Sequence, residues 1–256
     1  MPRRPRKGEL SGQVALVTAC SKGIGQACAL ALAEAGADLI LGLHDARRGA
    51  ALVRRIERLG RAALPVQMDV SRLDQVRSAV RQGVQRFGRI DILVNNAGIG
   101  APSPAERVKE QDFDATLAVN LKGTFFVSQA VGKVMIRQRY GRIVNIGSQA
   151  GTVALPTESI YCMTKAGIAH LTRCLALEWA RHGIQVNAVA PTFVETPGTR
   201  RWLDDRAFRA SVVKRIPLGR VGVPEDVAGP VVFLCSRRAA LITGATLAID
   251  GGWTIP

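Results

Sequence analysis

Short apolar runs recur along this chain, each followed by a longer stretch whose apolar positions keep helical spacing. The runs are Val14–Thr18, Asp38–Leu43, Leu64–Met68, Ile90–Val94, Arg142–Gly147, Ile184–Ala190 and Ala245–Ile249. Most are continuously apolar rather than alternating, which suits strands buried on both faces of a parallel sheet. Between the first two lies the alanine-rich stretch Gly23–Gly36, read as a helix closing at glycine. Farther on, Leu52, Ile56 and Leu59 recur at helical spacing among arginines, and Gly60 ends that segment. Alternating strand and helix predicts right-handed crossovers and an α/β, doubly wound parallel sheet flanked by helices. The regularity breaks between Pro191 and Pro224, and the arginine-rich insertion there is read as a substrate lid at about 192–217. No repeat or linker divides the rest, so residues 10–256 are expected to form one domain behind a basic, disordered tail at 1–9.

Composition adds exclusions. With 47% hydrophobic and 21% charged residues, the chain has ordinary values for a soluble enzyme. No apolar run is long enough to span a bilayer, and no apolar segment follows the basic opening to make a secretory signal. A net charge of +15 raises the question of nucleic acid, but the arginines are scattered in pairs without a binding signature. A solvated basic surface is the reading, and no nucleic-acid partner is expected. Five cysteines lack a C-x-x-C pair, and the three histidines are dispersed. Reduced thiols, a cytoplasmic location and no metal are expected.

The candidate chemistry sits at the carboxyl ends of the strand-like runs, where ligands bind in open α/β sheets. The first run leads into Thr18-Ala19-Cys20-Ser21-Lys22-Gly23-Ile24-Gly25 and then a helix. Glycines there let a phosphate approach the backbone, and a helix N-terminus offers free N–H groups. Asp69-Val70 follows the third run, and Asn95-Asn96-Ala97-Gly98 the fourth. Tyr161 lies thirteen residues after Ser148, and Lys165 is one helical turn beyond it on the same face. A free tyrosine titrates near ~10, too high for acid–base work at neutral pH, and a neighbouring cation lowers it.

Taken in order, Thr18–Gly25, Asp69, Asn95–Gly98, Asn120, Ser148, Tyr161, Lys165, Asn187 and Asp250-Gly251-Gly252 resemble the short-chain dehydrogenase/reductase family, from about Leu10 to the C-terminus. The resemblance implies a single-domain Rossmann-type sheet of seven strands and a nicotinamide cofactor. It also implies an acid/base role for Tyr161, stabilisation of the substrate oxygen by Ser148, a ribose contact and a lowered tyrosine pKa from Lys165, and a water-placing role for Asn120. The cofactor would meet Thr18, Ser21, Lys22, Gly23, Ile24 and Gly25 in the first loop. Beyond that loop it would meet His44, then Asp69 and Val70, then Asn96, Ala97 and Gly98. At the nicotinamide end it would meet Tyr161, Lys165, Pro191, Thr192, Val194 and Thr196.

Departures from the family pattern refine this. Ala19 stands where the family usually has glycine, and a negative φ is expected there. Thr192 replaces a glycine in the nicotinamide loop. The second run ends in Leu43-His44-Asp45, without an acid at the position that favours NAD(H). Lys22, Arg47 and Arg48 are basic, so NADP(H) is expected over NAD(H). The resemblance points to a secondary alcohol–ketone oxidoreductase acting on a sugar, polyol or sugar acid. A 3-oxoacyl-carrier-protein reductase, served by Arg137 and Arg139, is the alternative, and a non-catalytic cofactor-binding regulator a more distant one. Phe113–Arg139 and Glu158–His182 match the helices through which the family assembles, so a homotetramer is expected.

Overall fold

A computed structural model of the protein describes residues 8–255. The strands are β1 (Val14–Thr18), β2 (Asp38–Leu43), β3 (Ala63–Gln67), β4 (Ile92–Asn95), β5 (Gly141–Ile146), β6 (Ile184–Pro191) and β7 (Thr246–Ile249). They form one seven-stranded sheet in the order β3-β2-β1-β4-β5-β6-β7, and every pairing is parallel. The helices are α1 (Gly23–Glu34), α2 (Ala50–Arg58), α3 (Leu73–Phe87), α4 (Glu110–Leu117), α5 (Thr124–Gln138), α6 (Ser159–Trp179), α7 (Arg200–Leu203), α8 (Arg206–Lys214) and α9 (Pro224–Cys235).

Side-chain alternation along each strand divides the core in two. Ala15, Val17, Leu39, Leu41 and Val94 pack with α1, α2 and α9 on one face. Val14, Leu16, Ile40 and Leu93 pack with α3, α5 and α6 on the other. This double burial is why the strands read as continuous apolar runs. From β1 the chain steps outward through β2 and β3, then returns to pair β4 on the opposite edge of β1. The crevice where the order reverses, between the ends of β1 and β4, is where such a sheet takes a ligand.

Two departures from regularity matter for the site. The helix expected over Phe113–Arg139 is interrupted by a π-helical turn at Ala118–Gly123, centred on Asn120. π-Turns of this kind concentrate at functional sites. The segment between Pro191 and Pro224 carries α7 and α8, whose Leu203 and Val212 gather with Trp253 in a third, smaller apolar cluster. The tail expected at 1–9 lies mostly outside the described residues. Glu9 is described, and it pairs with Arg238 at 3.0 Å.

Candidate active site

The end of β5 delivers the first reactive group. Beyond Ile146 the backbone enters a short turn at Gln149–Gly151, and the Ser148 hydroxyl caps it by accepting from the Ala150 N–H at 3.1 Å. On α6, Tyr161 and Lys165 follow on one face. Ser148, Tyr161 and Lys165 open together into a cavity of ≈530 Å³. Ile24, Asn96, Gly98, Pro191, Thr192, Val194 and Thr196 line the same cavity, so both ends of the sequence-derived site converge there.

Asn120 stands behind the wall, fully buried. Its side chain accepts from the Ile99 N–H at 2.9 Å and donates to the Ile99 carbonyl at 2.9 Å and to Thr164 Oγ1 at 3.0 Å. The π-turn thus presents one amide to a loop strand and to α6 at once. A Cβ added at Gly98 would meet Lys165 Nζ at 3.5 Å and Asn120 Oδ1 at 3.6 Å, so the glycine packs directly against both groups.

Electrostatics at the pair differ from the sequence expectation. Burial pushes Tyr161 up to about 12; the Ser148 hydroxyl opposes this, while the Glu158 carboxylate adds to it. Burial pulls Lys165 down to about 8. The Lys165 ammonium donates to the Ile146 carbonyl at 2.8 Å, and its Nζ stands 5.4 Å from the centroid of the Tyr161 ring. Loss of solvation therefore sets the direction of the shift, and the expected depression of the tyrosine pKa is not found.

The loop after β1 forms a cradle. Thr18 Oγ1 accepts from the N–H groups of Asn96 (2.9 Å) and Ala97 (3.1 Å), and Asn96 Nδ2 returns bonds to the carbonyls of Thr18 and Ala19. These bonds tie the ends of β1 and β4 together. At Gly25 a Cβ would fall 2.4 Å from Asn96 Nδ2, and Gly23 has φ +57 with Thr196 close above it. Both glycines are therefore required by contact or conformation. Ala19 departs from expectation: its φ is +52, in the left-handed region rather than the negative one. The tight loop imposes this conformation, and alanine bears the strain that glycine would avoid.

A second cavity, of ≈660 Å³, lies at the outer end of β2 and is lined by Ser21, His44, Asp45, Arg47, Arg48 and Gln67. Asp45 accepts from the Arg47 backbone and, in bidentate fashion, from its guanidinium at 3.0 and 3.1 Å. Those hydrogen bonds hold the Asp45 carboxyl below its usual value. His44 Nε2 lies 3.7 Å from Asp69 Oδ2, and Asp69 Oδ1 is occupied by Ser71. Lys22 is exposed and Val70 is buried, where it would meet a Cβ added at Gly123; neither lines these cavities. Sequence reasoning missed Gln67, whose Oε1 accepts from the Ala46 N–H at 3.2 Å and whose amide donates to the His44 carbonyl. Its pairing register beside Leu43 at the sheet edge is the only signal it leaves.

Comparison with known proteins now settles the family. The profile described as enoyl-(acyl carrier protein) reductase matches residues 18–254. The chain belongs to the short-chain dehydrogenase/reductase family. It is an NAD(P)-dependent oxidoreductase acting on alcohol and carbonyl groups. The 3-oxoacyl-[acyl-carrier-protein] reductase of Thermotoga maritima is 44% identical over 246 residues, covering 96% of this chain and 99% of that one. The 2-dehydro-3-deoxy-D-gluconate 5-dehydrogenase of Escherichia coli is 40% identical over 248 residues, covering 95% and 96%. Among solved short-chain dehydrogenase/reductase structures, a gluconate 5-dehydrogenase from Burkholderia cenocepacia in complex with NADP and tartrate superposes with a TM-score of 0.94. It has 40% identity and covers 98% of both chains.

Proposed function

We propose that this protein interconverts a secondary alcohol and a ketone on a small polyhydroxylated substrate, with NADP(H) favoured over NAD(H). The observation that carries the reading is the convergence of Ser148, Tyr161 and Lys165 in one cavity that Ile24 of the glycine loop also lines, with Asn96 and Gly98. The loop fits a dinucleotide: Gly25 leaves no room for a side chain against Asn96, and the second cavity offers arginine side chains beside Ser21. When bound, the nicotinamide supplies or accepts the hydride.

The chain's own groups handle the proton. A phenol pushed up to about 12 is protonated at neutral pH, so Tyr161 stands ready to donate to a carbonyl oxygen. Ser148 directs its hydroxyl to the same oxygen and stabilises the charge that grows on it. Lys165 keeps its cation below about 8, contacts the ribose, and favours the phenolate once the proton has left. In alcohol oxidation the same tyrosine takes the proton. Asn120 positions α6 through Thr164 and the loop through Ile99.

The preference for NADP(H) rests on Asp45. Arg47 occupies its carboxylate, so it is not free to accept from ribose hydroxyls, and Arg48 in the same cavity suits a phosphate. Equal affinities for NADPH and NADH in a fluorescence titration would contradict this preference.

We further propose a cytoplasmic homotetramer. Exposed Phe125, Met163 and Leu177 on α5 and α6, and Leu218, Leu247 and Ile255 around β7, offer two apolar faces for self-assembly. The five cysteines are free. Among the described residues no helix is long and apolar enough to cross a membrane. A monomeric mass by light scattering would reject the tetramer. The decisive assay of the reaction is turnover of polyols, sugar acids and a 3-oxoacyl thioester with both cofactors; turnover of the thioester alone would favour the carrier-protein reading.

A further inference from the structure

The substrate end of the cavity carries polar groups with nothing to bind. Gln149 is 3% exposed, yet its Oε1 has no hydrogen-bond partner, and Thr192 Oγ1 is buried and likewise unpaired. Both residues line the cavity. Buried polar atoms are almost always satisfied, so two orphans in residues that line one cavity set this end of it apart, although neither atom itself opens into the cavity. Glu158 joins them: half-buried, lining the same cavity, and with a carboxylate that makes no hydrogen bond or ion pair among the described residues. Burial holds its carboxyl above the usual range, with Arg201 pulling the other way. The residue before it, Thr157, has φ +63, a strained conformation for a β-branched side chain. Its carbonyl is held by the Ser103 N–H at 2.8 Å. Strain kept in place by neighbouring structure is a mark of function.

Arg201, on α7 and lining the same cavity, stacks its guanidinium 3.9 Å over the Trp202 ring. Stacking orients the planar fork while leaving its N–H edge free for a carboxylate. Arg201 makes no ion pair within 4.0 Å among the described residues. The site therefore has a carboxylate near Tyr161 and, at its rim, a cation whose charge Glu158 feels but does not bind.

We propose that Glu158 and Arg201 together select a polyhydroxylated carboxylate, a sugar acid. Its hydroxyls next to the reacting carbon donate to Glu158, and its carboxylate pairs with Arg201. The inference rests on the oxidoreductase reading above and narrows its substrate. An acyl chain would strip water from Glu158 without replacing the lost bonds. A neutral polyol would satisfy the acceptors but leave Arg201 unpaired. A hydroxylated carboxylate satisfies both.

The test compares kcat/KM for an aldonate and for the matching alditol in the wild type, Arg201→Ala, Arg201→Lys and Glu158→Gln, alongside a 3-oxoacyl thioester. Arg201→Ala is expected to cut the aldonate-to-alditol ratio about 10- to 100-fold, mainly through KM, with Arg201→Lys recovering part of it. Glu158→Gln is expected to lower kcat/KM on both hydroxylated substrates about tenfold or more. An unchanged ratio in Arg201→Ala, with the wild type active on aldonate or alditol, overturns this inference and leaves the reaction intact. Turnover of the thioester but of neither hydroxylated compound overturns the underlying substrate reading as well.

Discussion

Lys165 Nζ gives its hydrogen bond to the Ile146 carbonyl oxygen at 2.8 Å and lies under the Tyr161 ring, 5.4 Å from its centroid. The pair is thus a part-buried phenol beside a buried amine, each driven towards its neutral form. This arrangement has a stability cost that can be measured. Lys165 is pulled down to about 8 from an ordinary 10.5, so below that pH the fold must bury a cation. Between the two values the unfolded chain holds the proton and the folded chain does not, and stability therefore rises with pH across that window. Lys165→Met is expected to stabilise the fold at pH 7 by on the order of 2 kcal/mol while abolishing turnover. Urea unfolding at about pH 7 and 9.5 should also show a smaller pH gain in the variant than in the wild type. A destabilised variant at pH 7 would show that the Ile146 bond outweighs the burial cost.

Arg47 is expected to set cofactor choice through Asp45. Removing its guanidinium in Arg47→Ala releases the carboxylate towards ribose hydroxyls and sets its unshielded charge against a 2′-phosphate. NADPH affinity should fall about tenfold and NADH affinity should rise. Parallel losses for both cofactors would mean that Arg47 only shapes the turn.

The strained alanine in the cradle gives a prediction of opposite sign from most loop mutations. Ala19 at φ +52 bears a left-handed penalty of roughly 1–2 kcal/mol. Glycine removes it but adds roughly 0.5–1 kcal/mol of unfolded-state entropy. Ala19→Gly should therefore stabilise the protein by up to about 1 kcal/mol in thermal or denaturant unfolding. A loss of stability would show that the methyl makes a packing contribution.

Most of this site was legible in the sequence because its parts sit where strand ends meet loops. Ser148, Tyr161 and Lys165 are fixed by the length of one turn and one helical repeat, and Thr18 to Gly25 by a single strand–loop–helix unit. What sequence reasoning missed depends on packing between distant segments. The sign of the Tyr161 shift follows from how completely the cavity buries the phenol, which spacing does not encode. The conformation of Ala19 follows from Asn96 pulling its carbonyl across to β4. Val70, named from the family resemblance as a cofactor contact, has its side chain buried beside the π-turn at Gly123. Arg201 read as one of many surface arginines until α7 carried it to the cavity rim.

The Glu158 carboxylate adds to the upward shift of Tyr161, which burial dominates; Cys162 adds further and Ser148 opposes it. Glu158→Gln removes a negative charge beside the phenol. The acid limb of kcat/KM for alcohol oxidation should then move to lower pH, because the tyrosine loses its proton more readily. A limb unmoved in pH, with only its height reduced, would confine Glu158 to substrate binding.

The central claim is proton transfer by Tyr161 in a nicotinamide-dependent reaction. The most direct test follows nicotinamide absorbance for the wild type and Tyr161→Phe across polyols, sugar acids and a 3-oxoacyl thioester, with cofactor binding measured in parallel. The account predicts turnover in the wild type and a loss of at least about a hundredfold in Tyr161→Phe, with cofactor still bound. Retained turnover in Tyr161→Phe would contradict it.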